Sequence, residues 1–275
     1  MTSYLNDRFK IVSVDDELSL PALMEYSSPQ GSVMGRKNYI LYTKPHSDVI
    51  RRHGLQYHFY ADDTHLYPSF KPKDAIIQTE ALTHIDNCLI EIEAWIHQNT
   101  MKLNNDTTKV ILFTSKHNSQ YTDKVSIQVG NSRITSTTCV RYLGVIFDST
   151  MTTAQRVASI CISGYAQVRS IGHIRRYLSN DATKSLVHGL VMSRLDDCNA
   201  LLRGLPDTTM NKLRRVQNMA ARIVTRTARH NHITPVLKKL YWLSVKYRGQ
   251  YKLLVHMYKA LHDQYPVYFL IHNGH

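Results

Sequence analysis

The 275-residue sequence is poor in cysteine, and its four (Cys88, Cys139, Cys161 and Cys198) lie far apart. That spacing excludes a disulfide frame and any cysteine-based metal site, and leaves reduced, buried thiols. No apolar run approaches the roughly 20 residues that cross a bilayer. The first residues, Met1 to Arg8, lack the basic-then-apolar layout of a secretory leader. These absences point to an intracellular chain, in nucleus or cytoplasm, without a membrane partner. No internal repeat or low-complexity tract is present, and a hydrophobic content of 43% supports a packed core. The fifteen histidines form no H-x-x-x-H pair and no Cys/His cluster. Gly31–Gly35 is followed by Arg36 rather than Lys-Ser/Thr, so it is not a phosphate-binding P-loop.

Acidic residues are scarce in one half only. Residues 1–150 hold 15 Lys+Arg against 16 Asp+Glu, a net of −1, and residues 151–275 hold 19 against 5, a net of +14. The whole-chain charge of +13 therefore lies in the C-terminal part. Such asymmetry is the footprint of a polyanionic partner, nucleic acid above all, although a solvated basic face has the same composition.

Periodicity changes at the same place. Residues 9–14 alternate weakly and end at Asp15-Asp16, a strand and a turn. In residues 55–59, Leu55, Tyr57 and Phe59 share one face of a strand. Asp74 caps a predicted helix reaching about Asn99, with an apolar stripe of Ile85, Cys88, Leu89, Ile92, Trp95 and Ile96. Strands are predicted at 110–114, 125–129 and 140–147, with Gly130-Asn131 turning between the last two. Beyond residue 150 the periods are helical, over 152–172, 181–203, 207–229 and 245–262. Breaks are expected at Gly172, Gly204-Leu205-Pro206 and Thr234-Pro235.

Asp62 and Asp63 stand where one short strand ends and another begins, so a tight hairpin would carry two carboxylates at its tip. Adjacent carboxylates repel and stay ionised only with cations nearby. Hard oxygen ligands suit Mg²⁺ or Mn²⁺, and a pair of such ions clamps an in-line phosphoryl displacement. An ordinary Asp-Asp turn has the same letters.

The chain resembles the reverse transcriptases of non-LTR retrotransposons, of the jockey and chicken-repeat type. Tyr4-Leu5-Asn6-Asp7-Arg8 is similar to Y-L-x-x-R, and Ser28–Gly35 to a segment centred on P-Q-G-S-V. Tyr60–Tyr67 is similar to Y-A-D-D-T-Q-L-Y, and residues 95–104 to W-M-x-x-N with L-K-L-N. Val140–Val145 resembles the loop that grips the primer. Ser193–Asn199 with Gly204-Leu205-Pro206 resembles S-R-L-D-Y-C-N and G-L-P. Gln217–Arg222 is similar to Q-N-x-A-A-R. His232–Leu237 and Leu240–Leu243 are similar to H-I-T-P-V-L and L-H-W-L.

The resemblance implies an α+β fold. A partial right-hand polymerase palm of antiparallel strands and helices would occupy residues 1–150. A basic, mostly α-helical thumb and following region would occupy 151–275. It implies an RNA-directed DNA polymerase using an RNA template, a DNA primer, dNTPs and Mg²⁺ or Mn²⁺. Asp62 and Asp63 would be the catalytic metal ligands. Pro29, Gln30, Gly31, Ser32 and Tyr60 would meet nucleotide and template, and Tyr142, Leu143 and Gly144 the primer. Arg175, Arg176, Arg214, Arg215 and Arg222 are the candidates for the nucleic-acid backbone, contacts that position a strand without reading it. Tyr165, Tyr177, Tyr241, Trp242, Tyr247 and Tyr251 are aromatics that can stack on bases or pack in a core.

Departures from the pattern bear on activity. The family's other palm aspartate and its fingers lie ahead of the Y-L-x-x-R segment, where this sequence begins, so impaired catalysis is expected. Its D-K-T-E reads Asp106-Thr107-Thr108-Lys109, which removes the lysine implied as proton donor to pyrophosphate. Exposed edges and apolar surface are expected in the N-terminal part. A non-catalytic nucleic-acid-binding protein and a relic of a decayed element are the alternatives. His230-Asn231-His232 spells the letters of an HNH nuclease without that motif's context.

Overall fold

The computed structural model describes residues 9–23, 35–71, 73–99, 101, 103–118 and 124–265. It is mixed α+β, with two compact units, Met1–Thr138 and Cys139–His275. The division falls ahead of the composition break near residue 150, so the hairpin containing Tyr142 groups with the helical unit.

In the first unit, a ribbon pairs β1 (Phe9–Lys10) with β4 (Ala22–Leu23) and β2 (Ser13–Val14) with β3 (Glu17–Leu18). Asp15 and Asp16 turn it at positive φ, as a two-residue hairpin loop of the right twist requires. The apolar side chains Phe9, Ile11, Val12, Val14, Leu18, Leu20 and Leu23 are all exposed. Helices α1 (Gly35–Thr43) and α2 (His46–Arg52) follow. Hairpin β5 (Gln56–Tyr60) and β6 (Asp63–Tyr67) comes next.

Helix α3 (Ala75–Gln98) begins at Asp74, whose carboxylate accepts from the Ile76 and Ile77 amides at 3.2 Å each, satisfying two orphan donors. Five of the six predicted stripe residues pack, all but Leu89. Cys88 and Ile92 are buried against Val49, Ile50 and Leu55, with Tyr57, Phe59, Leu66, Ile85, Trp95 and Ile96 around them. Burial pushes the Cys88 thiol up to about 11, with Glu91 adding to the shift. His46 stacks on Trp95 with ring centroids 5.3 Å apart, and its burial favours the neutral ring. Residues 110–114 do not form the expected strand; a single parallel bridge joins Ile111 to Thr137. The partner of β7 (Ser126–Val129) across Gly130-Asn131 is β8 (Ser132–Thr135), not residues 140–147.

In the second unit, residues 140–147 are likewise not one strand. β9 (Cys139–Tyr142) folds back on β10 (Val145–Asp148) through Leu143 and Gly144, at φ of 45° and 80°. Asp148 then anchors the start of α4 (Ala154–Ile174). Its buried carboxylate accepts from the Thr152 amide at 2.8 Å, the Thr150 hydroxyl at 2.9 Å and the Thr152 hydroxyl at 3.1 Å. Burial pushes this carboxyl upward, but those donors outweigh it and hold it below the usual range. A group depressed in the folded state stabilises above its unfolded value, near 3.9, and loses that contribution as pH falls through its folded value. Unfolding of this unit by urea should therefore become easier as pH falls from about 4, the range in which an unfolded aspartate takes up its proton. Asp148→Asn should be less stable at neutral pH and show a flatter acid limb. An unchanged limb would show that Asp148 contributes nothing to it.

Residues 180–196 run as α5 (Asn180–Val187), a π turn (His188–Met192) and α6 (Ser193–Asp196). The predicted helix to 203 stops there. Cys198, at φ 47°, breaks it before the 3₁₀ turn Asn199–Leu202. After Gly204-Leu205-Pro206 come α7 (Asp207–Thr225), α8 (Ile233–Lys239) and α9 (Val245–Leu261). Pro235 does not break the chain. It sits in the first turn of α8, where its missing N–H has no intrahelical partner to lose.

The core of this unit is helix against helix: Val157, Val168 and Ile171 of α4 meet Val187, Val191, Met192 and Leu195, and Leu213, Val216, Ala220 and Val224 of α7. The α4–α7 approach is close at Gly164, where an added Cβ would lie 2.6 Å from Cγ1 of the fully buried Val216. Valine is stiff at χ1 and cannot step aside. Gly164→Ala should therefore lower stability by ~1–2 kcal/mol, overpacking outweighing the helix-propensity gain. Val216→Ala in the same chain should recover part of that loss in a thermal melt. Among the described residues, no helix is long and apolar enough to cross a membrane.

Candidate functional site

The hairpin β5–β6 presents the acidic pair as its sequence predicts. Five residues pair on each side, from Gln56↔Tyr67 to Tyr60↔Asp63, leaving Ala61 and Asp62 as the turn. Ala61 takes positive φ, 55°, which lets the turn close in two residues. The pleat decides what faces where. Tyr57, Phe59 and Leu66 pack on the core, whereas Tyr60, Asp62 and Asp63 are exposed. His58 and His65 are opposite each other on the same face as the Tyr60–Asp63 pair. Burial holds the His65 ring below its ordinary value, against Asp63, which pulls it up; His58 adds to the lowering.

Tyr39 of α1 completes this neighbourhood. Burial raises its phenol, and the charges of Asp62 and Asp63 raise it further. The tyrosine stands in α1, four residues after its start at Gly35. A phenol here puts a hydroxyl donor near two carboxylates. The sequence reading did not single out Tyr39.

The carboxylates are the right chemical class for Mg²⁺ or Mn²⁺, but a two-ion clamp needs more oxygen ligands than one turn supplies. Among the described residues, no three His, Cys, Asp or Glu side chains gather in a metal-binding group. Among the described residues, Asp62 and Asp63 are the oxygen ligands that this turn itself offers. Pro29, Gln30, Gly31, Ser32 and Tyr4–Arg8 lie outside the described residues.

The grip-like segment is the β9–β10 turn of the second unit. Leu143 is exposed at its tip, and Tyr142 leans on Phe147 with ring centroids 6.5 Å apart. A leucine at positive φ is unfavourable, so this turn holds local strain.

The five candidate arginines part into two sets. Arg214 and Arg215 are exposed on α7, and Arg176 is exposed with its guanidinium 4.7 Å from the Tyr177 ring centre. Lys212, Arg215, Met219 and Arg222 recur at helical spacing on the outward side of α7. Arg175 turns inward instead. It is buried, and it donates to the Ile223 carbonyl (2.8 Å), the Leu178 carbonyl (2.8 Å), Asn180 Oδ1 (2.5 Å) and the Val224 carbonyl (3.1 Å). Arg222 donates to the Ala228 carbonyl at 2.6 Å and the Asn231 carbonyl at 3.0 Å, bracing the loop after α7. Neither guanidinium is set out for a phosphate.

Other motif letters of this unit also serve the fold. Gln217 is fully buried; its Nε2 donates to the Leu243 carbonyl at 2.7 Å and its Oε1 accepts from the Val245 amide at 3.1 Å. It thus pins the turn before α9. Ala220 and Ala221 give close helix contact, and Trp242 is buried edge-on to His188. Asp196 pairs with Arg248, and Asp197 with the buried Arg156. Of the aromatics, Tyr165 packs on the core, while Tyr177, Tyr241, Tyr247 and Tyr251 are exposed. Compared with family models, curated proteins and solved structures, the chain gives no match.

Proposed function

We propose that the chain belongs to a reverse transcriptase of the non-LTR retrotransposon type, palm elements followed by a basic helical thumb region. Its ancestral reaction is nucleotidyl transfer from dNTPs to a DNA primer on an RNA template. One observation carries the reading: the Asp62-Asp63 pair at the tip of an antiparallel hairpin, within an ordered series of segments that resemble that family. The basic helical unit with exposed Arg176, Arg214 and Arg215 supports a phosphate-holding role.

The net charge of +14 over residues 151–275 supports a second reading, non-catalytic binding of nucleic acid. Primer extension by the purified chain, on RNA template with DNA primer, dNTPs and Mg²⁺ or Mn²⁺, separates the two. Extension abolished by Asp62→Ala establishes a polymerase. Template–primer binding without extension, weakened steeply by salt, is the result expected for a non-catalytic binding protein. Absence of both overturns the proposal.

A further inference from the structure

Hairpin β5–β6 brings together two histidines, one from each strand. His58 and His65 are directly opposite each other in the ladder, on the face turned away from Tyr57, Phe59 and Leu66. His58 is exposed and His65 half-buried, so solvent reaches the pair. Side chains opposite one another in an antiparallel ladder have Cβ atoms about 5 Å apart. Two imidazole nitrogens that share one ion, each about 2 Å from it, stand about 3.3 Å from each other. Rotation about the side-chain torsions closes that gap without moving the backbone. The strands themselves are held, because the opposite face of the hairpin packs on Cys88 and Ile92. Ligands carried on a fixed frame lose little freedom when the ion binds.

The donor atoms narrow the ion. Neutral imidazole suits zinc, nickel and copper, whereas Mg²⁺ and Mn²⁺ take oxygen. Among the described residues no three His, Cys, Asp or Glu side chains gather, so the ion would keep water in its other positions. Asp63 follows along the same face, and it and His58 both stand close enough to act on the His65 ring. A carboxylate there offsets the charge that the ion brings. The Y-A-D-D-T-Q-L-Y pattern has glutamine where His65 stands, so the pair belongs to this chain and not to the motif.

We infer that His58 and His65 form a two-imidazole site for a divalent transition-metal ion of the zinc, nickel and copper class. The site does not depend on the polymerase reading, which asks for Mg²⁺ or Mn²⁺ on carboxylates.

Proton NMR of the full chain with Ni²⁺, a paramagnetic ion that spares thiols, tests it. Substoichiometric Ni²⁺ should broaden two histidine ring signals ahead of the rest of the fifteen. Those two should be the signals missing from the spectra of His58→Ala and His65→Ala. In calorimetry, Zn²⁺ should bind a site that each of these variants weakens at least tenfold, with circular dichroism unchanged. His53→Ala, at the histidine that pairs with Glu91, should leave that site intact, and so should Asp62→Asn. Millimolar Mg²⁺ should not displace the zinc. Broadening spread evenly over the histidines would overturn the inference. So would zinc binding untouched by the His58 and His65 variants, or zinc displaced by Mg²⁺.

Discussion

Replacing Arg175 with alanine is expected to remove about 3–5 kcal/mol from the stability of the helical unit. The side chain makes four hydrogen bonds inside the protein, two of them to carbonyls in the last turn of α7. Helix ends leave carbonyls without intrahelical donors, and a charged donor is the strongest substitute. Alanine would strand those acceptors in a buried place, at a cost larger than the net worth of the bonds it removes. Small domains have a total stability of only 5–15 kcal/mol, so the unit should melt at a much lower temperature or fail to fold. Arg175→Lys should recover less than half of the loss, because an ammonium cannot reach several acceptors in a plane. Thermal and urea unfolding followed by circular dichroism measure both. A shift of only a degree or two for the alanine variant would show that the cluster carries little weight.

The second large effect concerns binding. Arg214→Glu with Arg215→Glu should weaken binding to an RNA–DNA template–primer at least tenfold near 0.1 M salt and leave the melting temperature almost unchanged. Both side chains are exposed, so the folded unit loses no internal bond. Each lost phosphate contact should also lower the slope of log affinity against log salt by about 0.9. Arg222→Ala should behave oppositely, loosening the loop at Ala228–Asn231 with little change in slope. Equal slopes for the double glutamate variant and the parent chain would move the interface off α7.

These contrasts mark what the sequence made legible. The cap at Asp74 and the stripe through Cys88 and Ile92 are local signals, and helix α3 followed them. The hairpin around Asp62 was legible because alternation ended and restarted within two residues. The turn at Leu143-Gly144 was not, since leucine is no turn residue and only tertiary packing forces it to positive φ. Helices α1 and α2 were missed as well: α2 has no side-chain cap at its start, and α1 has little apolar periodicity. Arg175 and Arg214 look alike in sequence, both basic and both on helical segments. Whether an arginine meets solvent or a neighbouring helix end depends on partners about fifty residues away, such as Ile223 and Val224. Gln217 shows the same limit; its letter sits in a motif, but its purpose lies in the turn at Leu243.

The π turn at His188–Met192 has a consequence for how this helix tolerates changes in length. A regular α-helix advances about 100° per residue, and a π turn takes up one residue more. Here the extra residue keeps Val187 ahead of the turn and Met192 and Leu195 beyond it in phase with one core. Gly189 is the natural candidate for that residue, since a side chain there would touch nothing. Deleting it would restore an even helix yet swing Leu195 and Asp196 out of phase with everything before them. The segment has the form of an α-helix that absorbed a one-residue insertion, with the surplus carried as a bulge rather than as a shift of register.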